Sequence, residues 1–289
     1  MRGRFAWGLF LITLGLFQKM VLADVLLAPS ADTVFGHPFP LAALDAWAGA
    51  LAFGMQVFFD FSGYTLCAIG LDLCFGFYLI DNFRSPYGAT GFSDFWRRWH
   101  ISLSSWLRDY LYIPLGGNRL GSFRTCVNIM VVMLLGGLWH GAAWTFVAWG
   151  ALHGLLLLAE RGVHRLTAGA AWAARAPAAT LGWLCTVLGV TITWVFFRAQ
   201  DFGTAVKTLA SMAGAFGAQG DQVLATRELI GVFTVVAVVL VVHRLARDTS
   251  LETLVQRAPR WAVAALWIVM ALAILLTQGT GNAFIYFQF

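Results

Sequence analysis

The sequence is short of charge. It carries 19 basic and 14 acidic side chains in 289 residues, 11% of the chain, where a typical globular domain has about 25%. With 60% apolar residues, 24 Phe and 13 Trp, there is too little polar surface to coat a water-soluble globule. The same scarcity excludes a disordered chain and a basic tail for nucleic acid. Cysteine is also sparse: residues 67, 74, 126 and 185 sit in or beside apolar runs, without the close pairing of a zinc site or a disulfide framework, and read as packing residues. Lys19 and Asp24 in the distal part of residues 1–27, with no small-residue cleavage site, argue against a cleaved signal peptide. No serine-nucleophile motif, phosphate-binding Gly-Lys loop or zinc-protease His-Glu pair is present. No carboxylate cluster accompanies the histidines, so no metal is expected.

What is present is a series of apolar runs long enough to cross a hydrocarbon core of roughly 30 Å. Phe5 to Leu27, Leu41 to Phe61, Tyr64 to Ile80, Cys126 to Trp139, Trp144 to Ala159, Leu181 to Phe197, Leu229 to Val242 and Trp261 to Thr277 read as about eight membrane helices. The fold class is therefore an all-α, polytopic membrane protein, taken as a single domain over residues 1–289. The net charge of +5 fits an excess of Lys and Arg in cytoplasmic loops. Residues 160–177 and 243–260 are each net +2 and read as cytoplasmic, and the neutral stretch 198–228 as external, along with the closing hexapeptide 284–289. The hairpin tip 139–144 then points outward. Alternation carried back over eight spans leaves Arg2 and Arg4 outside, against the rule. Either one early segment fails to span or the chain begins within a longer protein, and the second is the expectation.

Nine charges interrupt this pattern between Asp81 and Arg124, interleaved with ten aromatic residues. Ser93 reads as an N-cap with Asp94 in the first turn. Trp96, Trp99, Leu103, Trp106 and Tyr110 then recur at helical spacing, giving one amphipathic helix stopped by Pro114 and Gly116-Gly117. Such a helix either lies at the headgroups or is re-entrant, lining a protein-walled cavity. Of the six histidines, His37, His164 and His243 sit in or next to polar connections and read as solvated. His140 and His153 interrupt apolar runs, where an ionisable group is by default a functional-site candidate. A neutral imidazole suits a general base acting on an alcohol, and Gly136, Gly137 and Gly141 allow close approach to His140.

Six motifs then carry a resemblance: Asp60-Phe-Ser-Gly-Tyr64, Asn82-Phe-Arg-Ser-Pro-Tyr87, Phe95-Trp-Arg-Arg-Trp-His-Ile-Ser-Leu-Ser104, Leu107-Arg-Asp-Tyr-Leu-Tyr-Ile-Pro-Leu-Gly-Gly-Asn-Arg119, Gly137-Leu-Trp-His-Gly-Ala142 and Trp149-Gly-Ala-Leu-His-Gly154. In order, they resemble the membrane-bound O-acyltransferases, in the bacterial branch that acetylates exported polysaccharides such as alginate. The likeness runs from about Trp7 to the end, whereas the family usually begins with further hydrophobic helices. It implies His140 as the active-site histidine and His100 as its partner, with His153, Trp139, Asp109 and Asn118 in support. It further implies acetyl-CoA as donor with no bound cofactor, and a periplasmic acetyltransferase and the polysaccharide secretion machinery as partners in the bacterial inner membrane. Arg97, Arg98, Arg108 and Arg119 are candidate donors to the phosphates of the acyl carrier. The alternatives are a transporter using histidines as proton relays, against which no internal repeat is seen, and a non-catalytic scaffold.

Overall fold

The computed structural model describes residues 2–38, 40–170 and 176–277. The closing hexapeptide lies outside them. Regular structure among the described residues is helical, with one isolated bridge between Leu41 and Asp221. Among the described residues, six helices are long and apolar enough to cross a membrane. The chain divides into two compact units, one of Met1–Arg84, Phe216–Val238 and Asp248–Phe289, the other of Ser85–Ala215 and Val239–Arg247.

The first unit starts with a continuous helical stretch: α1 (Arg2–Leu16), a π-helical segment (Phe17–Leu27) and α2 (Ala28–Gly36). It packs against α3 (Ala43–Phe75). Two expected spans, Leu41 to Phe61 and Tyr64 to Ile80, are thus one 33-residue helix. The reason lies at Gly63, which does not break the helix but lets another backbone in. A Cβ at Gly63 would stand 2.6 Å from the Gly15 carbonyl oxygen, and one at Gly15 would stand 2.5 Å from that of Gly63. Backbone contact of this kind is how small residues drive helix pairing in lipid. One turn further along, Lys19 Nζ reaches Asp24 Oδ1 at 2.9 Å and Asp60 Oδ1 at 2.5 Å, so charges costly in an apolar helix pair are set against each other. The real end of α3 is Gly76, whose left-handed φ of 89° closes the helix.

The second unit contains α4 (Phe92–Trp96), α5 (Ile101–Leu107) with a π-helical turn at Arg108–Tyr112, α6 (Gly121–His140), α7 (Trp144–Leu166), α8 (Ala176–Arg198) and α9 (Phe202–Met212). The end of α10 (Thr226–Leu245) belongs here, and its start belongs to the first unit, with α11 (Leu251–Arg257) and α12 (Arg260–Leu276). The single amphipathic helix expected from Ser93 to Tyr110 is two helices. The first stops at Trp96, and His100, left-handed with φ 44° and ψ 56°, stands at the N-cap of the second. The residue ahead of α4 is Gly91 rather than Ser93, because the Ser93 amide is taken by Glu160 Oε2 at 2.8 Å.

From His100 to Gly117 this arm runs antiparallel to α6. Asn128 Nδ2 donates to the carbonyls of Leu115 and Gly117 at 3.1 and 2.9 Å, Leu103 and Leu107 pack on Val132, and His100 lies beside Trp139. From Asn128 to His140 is about 18 Å at 1.5 Å per residue.

If the Gly15–Gly63 crossing sets the pairing of α1 with α3, Gly63→Leu should overpack it, costing roughly 1–3 kcal/mol or more. Thermal unfolding in detergent should show a clearly lowered midpoint, whereas Gly162→Ala, where a Cβ meets nothing within 4 Å, should leave it unchanged.

Candidate active site

His140 is the last residue of α6, and its place there decides its protonation pattern. Its Nδ1 lies 2.6 Å from the Gly136 carbonyl one turn back, a group that only accepts, so Nδ1 carries the hydrogen. The neutral ring then has its lone pair on Nε2. Three rings wall the imidazole, with centroids 5.1 Å away for Trp139, 4.9 Å for Trp149 and 5.4 Å for Phe197, all edge-on. α6 and α7 come close enough for this because Gly137 and Gly150 face each other. A Cβ on Gly137 would meet the Phe146 carbonyl and stand 3.2 Å from the Gly150 Cα.

His100 reaches the same place from the arm. Its ring centroid lies 6.2 Å from that of Trp139, which therefore touches both histidines. It is buried, 7% exposed. Burial, aided by the His140 imidazole, pushes His100 down to about 3 from the usual 6.5. Its Nδ1 lies 3.4 Å from Ser102 Oγ.

The arm is held by polar contacts that fall on its first helix. Asp94 Oδ1 accepts from Arg98 Nε at 2.9 Å, and Oδ2 accepts from Arg247 Nη2 at 2.7 Å and from the Thr90 amide at 3.2 Å. Burial works to raise the Asp94 carboxyl, but these donors outweigh it and hold it below the usual range. Arg98 also donates through Nη1 to the Arg247 carbonyl at 2.5 Å.

The other candidates separate accordingly. His140, His100 and Trp139 meet, and His153 stands one ring away, across Trp149, whose centroid is 4.8 Å from its own. Asp109 and Asn118 are exposed, and Asp109 is engaged with its neighbour, Arg108 Nε to Oδ1 at 2.7 Å and Nη2 to Oδ2 at 3.1 Å. Arg98 is bound into the Asp94 cluster, while Arg97 and Arg119 are exposed. His243 is not solvated as expected: its Nδ1 accepts from the Tyr87 amide at 3.3 Å and its ring stacks on Tyr87 at 6.0 Å, because the end of α10 packs on the Pro86–Gly88 turn. His164 is exposed beside Glu160, and His37 faces Asp221 at 3.2 Å. Sequence reasoning missed Glu160, which looked like part of a basic loop, and Thr193, Trp194 and Phe197 on α8. The polar Thr193 within the apolar α8 was the one available signal.

The model of the MBOAT, membrane-bound O-acyltransferase family, matches residues 2–198. A probable alginate O-acetylase of Azotobacter vinelandii is 48% identical over 209 residues, 72% of this chain and 40% of that one. A peptidoglycan O-acetyltransferase of Helicobacter pylori is 45% identical over 73% of this chain and 40% of its own length. A probable alginate O-acetylase of Pseudomonas putida is 41% identical over 95% of this chain and 59% of its own length. The chain thus spans about two to three fifths of the length of these curated relatives.

Burying His100 as a neutral ring makes stability depend on acidity. In the unfolded chain the ring protonates near 6.5 and in the folded chain only near 3, so its contribution is complete above pH 6.5 and is lost as pH falls from 6.5 toward 3. Asn tolerates the left-handed backbone and does not titrate. His100→Asn should therefore show a flatter decline of unfolding temperature than the parent between pH 6.5 and 4; equal slopes would contradict the burial.

Proposed function

The chain belongs to the membrane-bound O-acyltransferase family, and from that premise we propose that it transfers acetyl groups from cytoplasmic acetyl-CoA toward the hydroxyls of an exported polysaccharide such as alginate. The observation that carries this reading is the His140 imidazole, fixed by the Gly136 carbonyl with its lone pair on Nε2. In the proposed step Nε2 takes the proton of an acceptor hydroxyl. The freed oxygen attacks the thioester carbonyl, the C–S bond breaks, and the proton passes from His140 to the departing thiolate. His100, neutral in its buried position, orients the acceptor or donates to the developing oxyanion. The buried Trp149 and Phe197 shield two sides of His140 from water that would compete for the acyl group.

The arm is read as re-entrant rather than interfacial, since it lies along some 18 Å of α6 instead of across its end. The merging of two expected spans into one helix supports a membrane orientation too. With residues 43–75 as one crossing, alternation from the basic connections 160–177 and 243–260 brings Arg4 to their side, and the conflict with the positive-inside rule disappears. The acyl donor then arrives at the basic side and the hydroxyl from the side of the 139–144 tip. Transfer onward by a periplasmic acetyltransferase beside the secretion machinery of a bacterial inner membrane completes the proposal.

Ester-linked acetate on secreted polysaccharide, measured in a deletion strain complemented with each variant, tests this. His140→Ala should lower it at least 100-fold and His100→Ala strongly, with membrane levels and polymer yield unchanged. Wild-type acetate in His140→Ala would refute the assignment, and lost polymer export with normal acetylation would favour a transporter.

A further inference from the structure

His153 is the most enclosed ionisable ring in the second unit, at 0% exposure, and its hydrogen bonds define its state. Trp96 Nε1 lies 3.3 Å from His153 Nδ1. An indole nitrogen only donates, so Nδ1 must accept and carries no hydrogen. The hydrogen is therefore on Nε2, which lies 2.9 Å from Thr193 Oγ1. Thr193 uses its own hydrogen on the Val190 carbonyl at 2.8 Å and is left accepting from His153. Donors and acceptors run in one direction, from Trp96 through His153 and Thr193 to the backbone of α8, and a neutral ring satisfies every link.

The rings around it make the same connection. His153 stacks on Phe95 with centroids 6.3 Å apart and planes 9° from parallel, and meets Trp96 edge-on at 5.0 Å and Trp149 at 4.8 Å. Phe95 and Trp96 form the last turn of α4, four residues ahead of the left-handed His100. Trp149 in turn touches His140 at 4.9 Å. A single side chain on α7 thereby grips the helix that delivers His100 and the indole that walls His140. Moving a proton through the ring would give Nδ1 a hydrogen and set it against the Trp96 N–H.

We propose that His153 is a positioning residue of the acyl-transfer site: as a neutral tautomer joining Trp96 to Thr193, it fixes the arm that presents His100 to His140, and it takes no part in proton transfer. This deepens the acyltransferase reading and rests on it. Its consequences fall on the chemical step, because a displacement of about 1 Å at a reacting group costs on the order of 100-fold in rate.

The test uses membranes containing the full chain, varied acetyl-CoA and unacetylated polymannuronate, with release of coenzyme A thiol as the rate. His153→Ala should lower kcat about 100-fold with the KM for acetyl-CoA unchanged within twofold and the pH profile unchanged in shape. Trp96→Phe, which loses the donor and keeps the ring, should fall in the same direction, and the double variant should lose no more than His153→Ala alone. Thr193→Val should be impaired and Thr193→Ser restored. A wild-type kcat in His153→Ala, a shifted pH profile, or fully multiplicative losses would overturn the proposal. In the same assay, wild-type activity in His140→Ala would instead overturn the acyltransferase reading. If no variant folds, 15N shifts of histidine in the wild-type protein still decide: a protonated Nε2 and bare Nδ1 at His153 support the inference, and the reverse tautomer refutes it.

Discussion

The second unit depends on keeping an irregular stretch of backbone satisfied away from water. A helix satisfies itself; a chain that stops at residue 96 and restarts at residue 101 beside α6 does not. At the break itself the amides of Arg97, Arg98 and Trp99 stay on carbonyls of α4, but amides on the approach to α4 are matched by side chains, two of them brought from α7 and α10. Asp94 accepts the Thr90 amide, Glu160 from α7 accepts the Ser93 amide, and His243 from α10 accepts the Tyr87 amide. Each acceptor comes at a cost, because a buried carboxylate needs its own counter-charge. Arg98 and Arg247 supply it at Asp94, and Arg98 spends a further donor on the Arg247 carbonyl. Of the charges crowded between Asp81 and Arg124, Asp94 and Arg98 thus serve the backbone around α4, whereas Asp81 pairs with Arg84 and Arg108 with Asp109 at exposed positions.

That dependence explains which parts of the molecule could be read from its sequence. The helical, membrane-spanning character was legible because hydrocarbon imposes length and composition directly on each span. His140 stood out as a candidate because a histidine in an apolar run among glycines has few structural reasons to be there. The fusion of residues 43–75 into one helix was hidden, since glycine at 63 looks the same whether it ends a helix or admits a neighbour, and only Gly15 on the partner decides. The periodicity of Trp96, Trp99, Leu103 and Trp106 survives a break at His100 because the two short helices still present one apolar side to α6 and α7. Glu160 and His243 were misread for a related reason: a polar residue near a helix end is solvated by default, and only the returning arm shows what it meets.

The arginines sort by the same accounting, and this bears on how a donor would enter. Arg98 and Arg108 are committed to Asp94 and Asp109, so a phosphate would have to displace a carboxylate to use them. Arg97 has an exposed head too, but it approaches Asp94 at 3.8 Å and lies three residues from His100, which leaves Arg119 as the exposed candidate away from the histidines. Arg119 follows the turn whose Gly117 carbonyl is tied to Asn128, and Asn128 lies about 18 Å along α6 from His140. On the proposed reading, phosphate recognition and acyl chemistry are thus separated by most of the depth of a hydrocarbon core. A donor with its charge at one end and its thioester at the end of a long thin arm fits that separation; a compact acyl phosphate does not. On that reading the same distance would keep the anionic groups near the basic end of α6, so that only the uncharged thioester enters the ring of Trp139, Trp149 and Phe197, where a charge would be least tolerated.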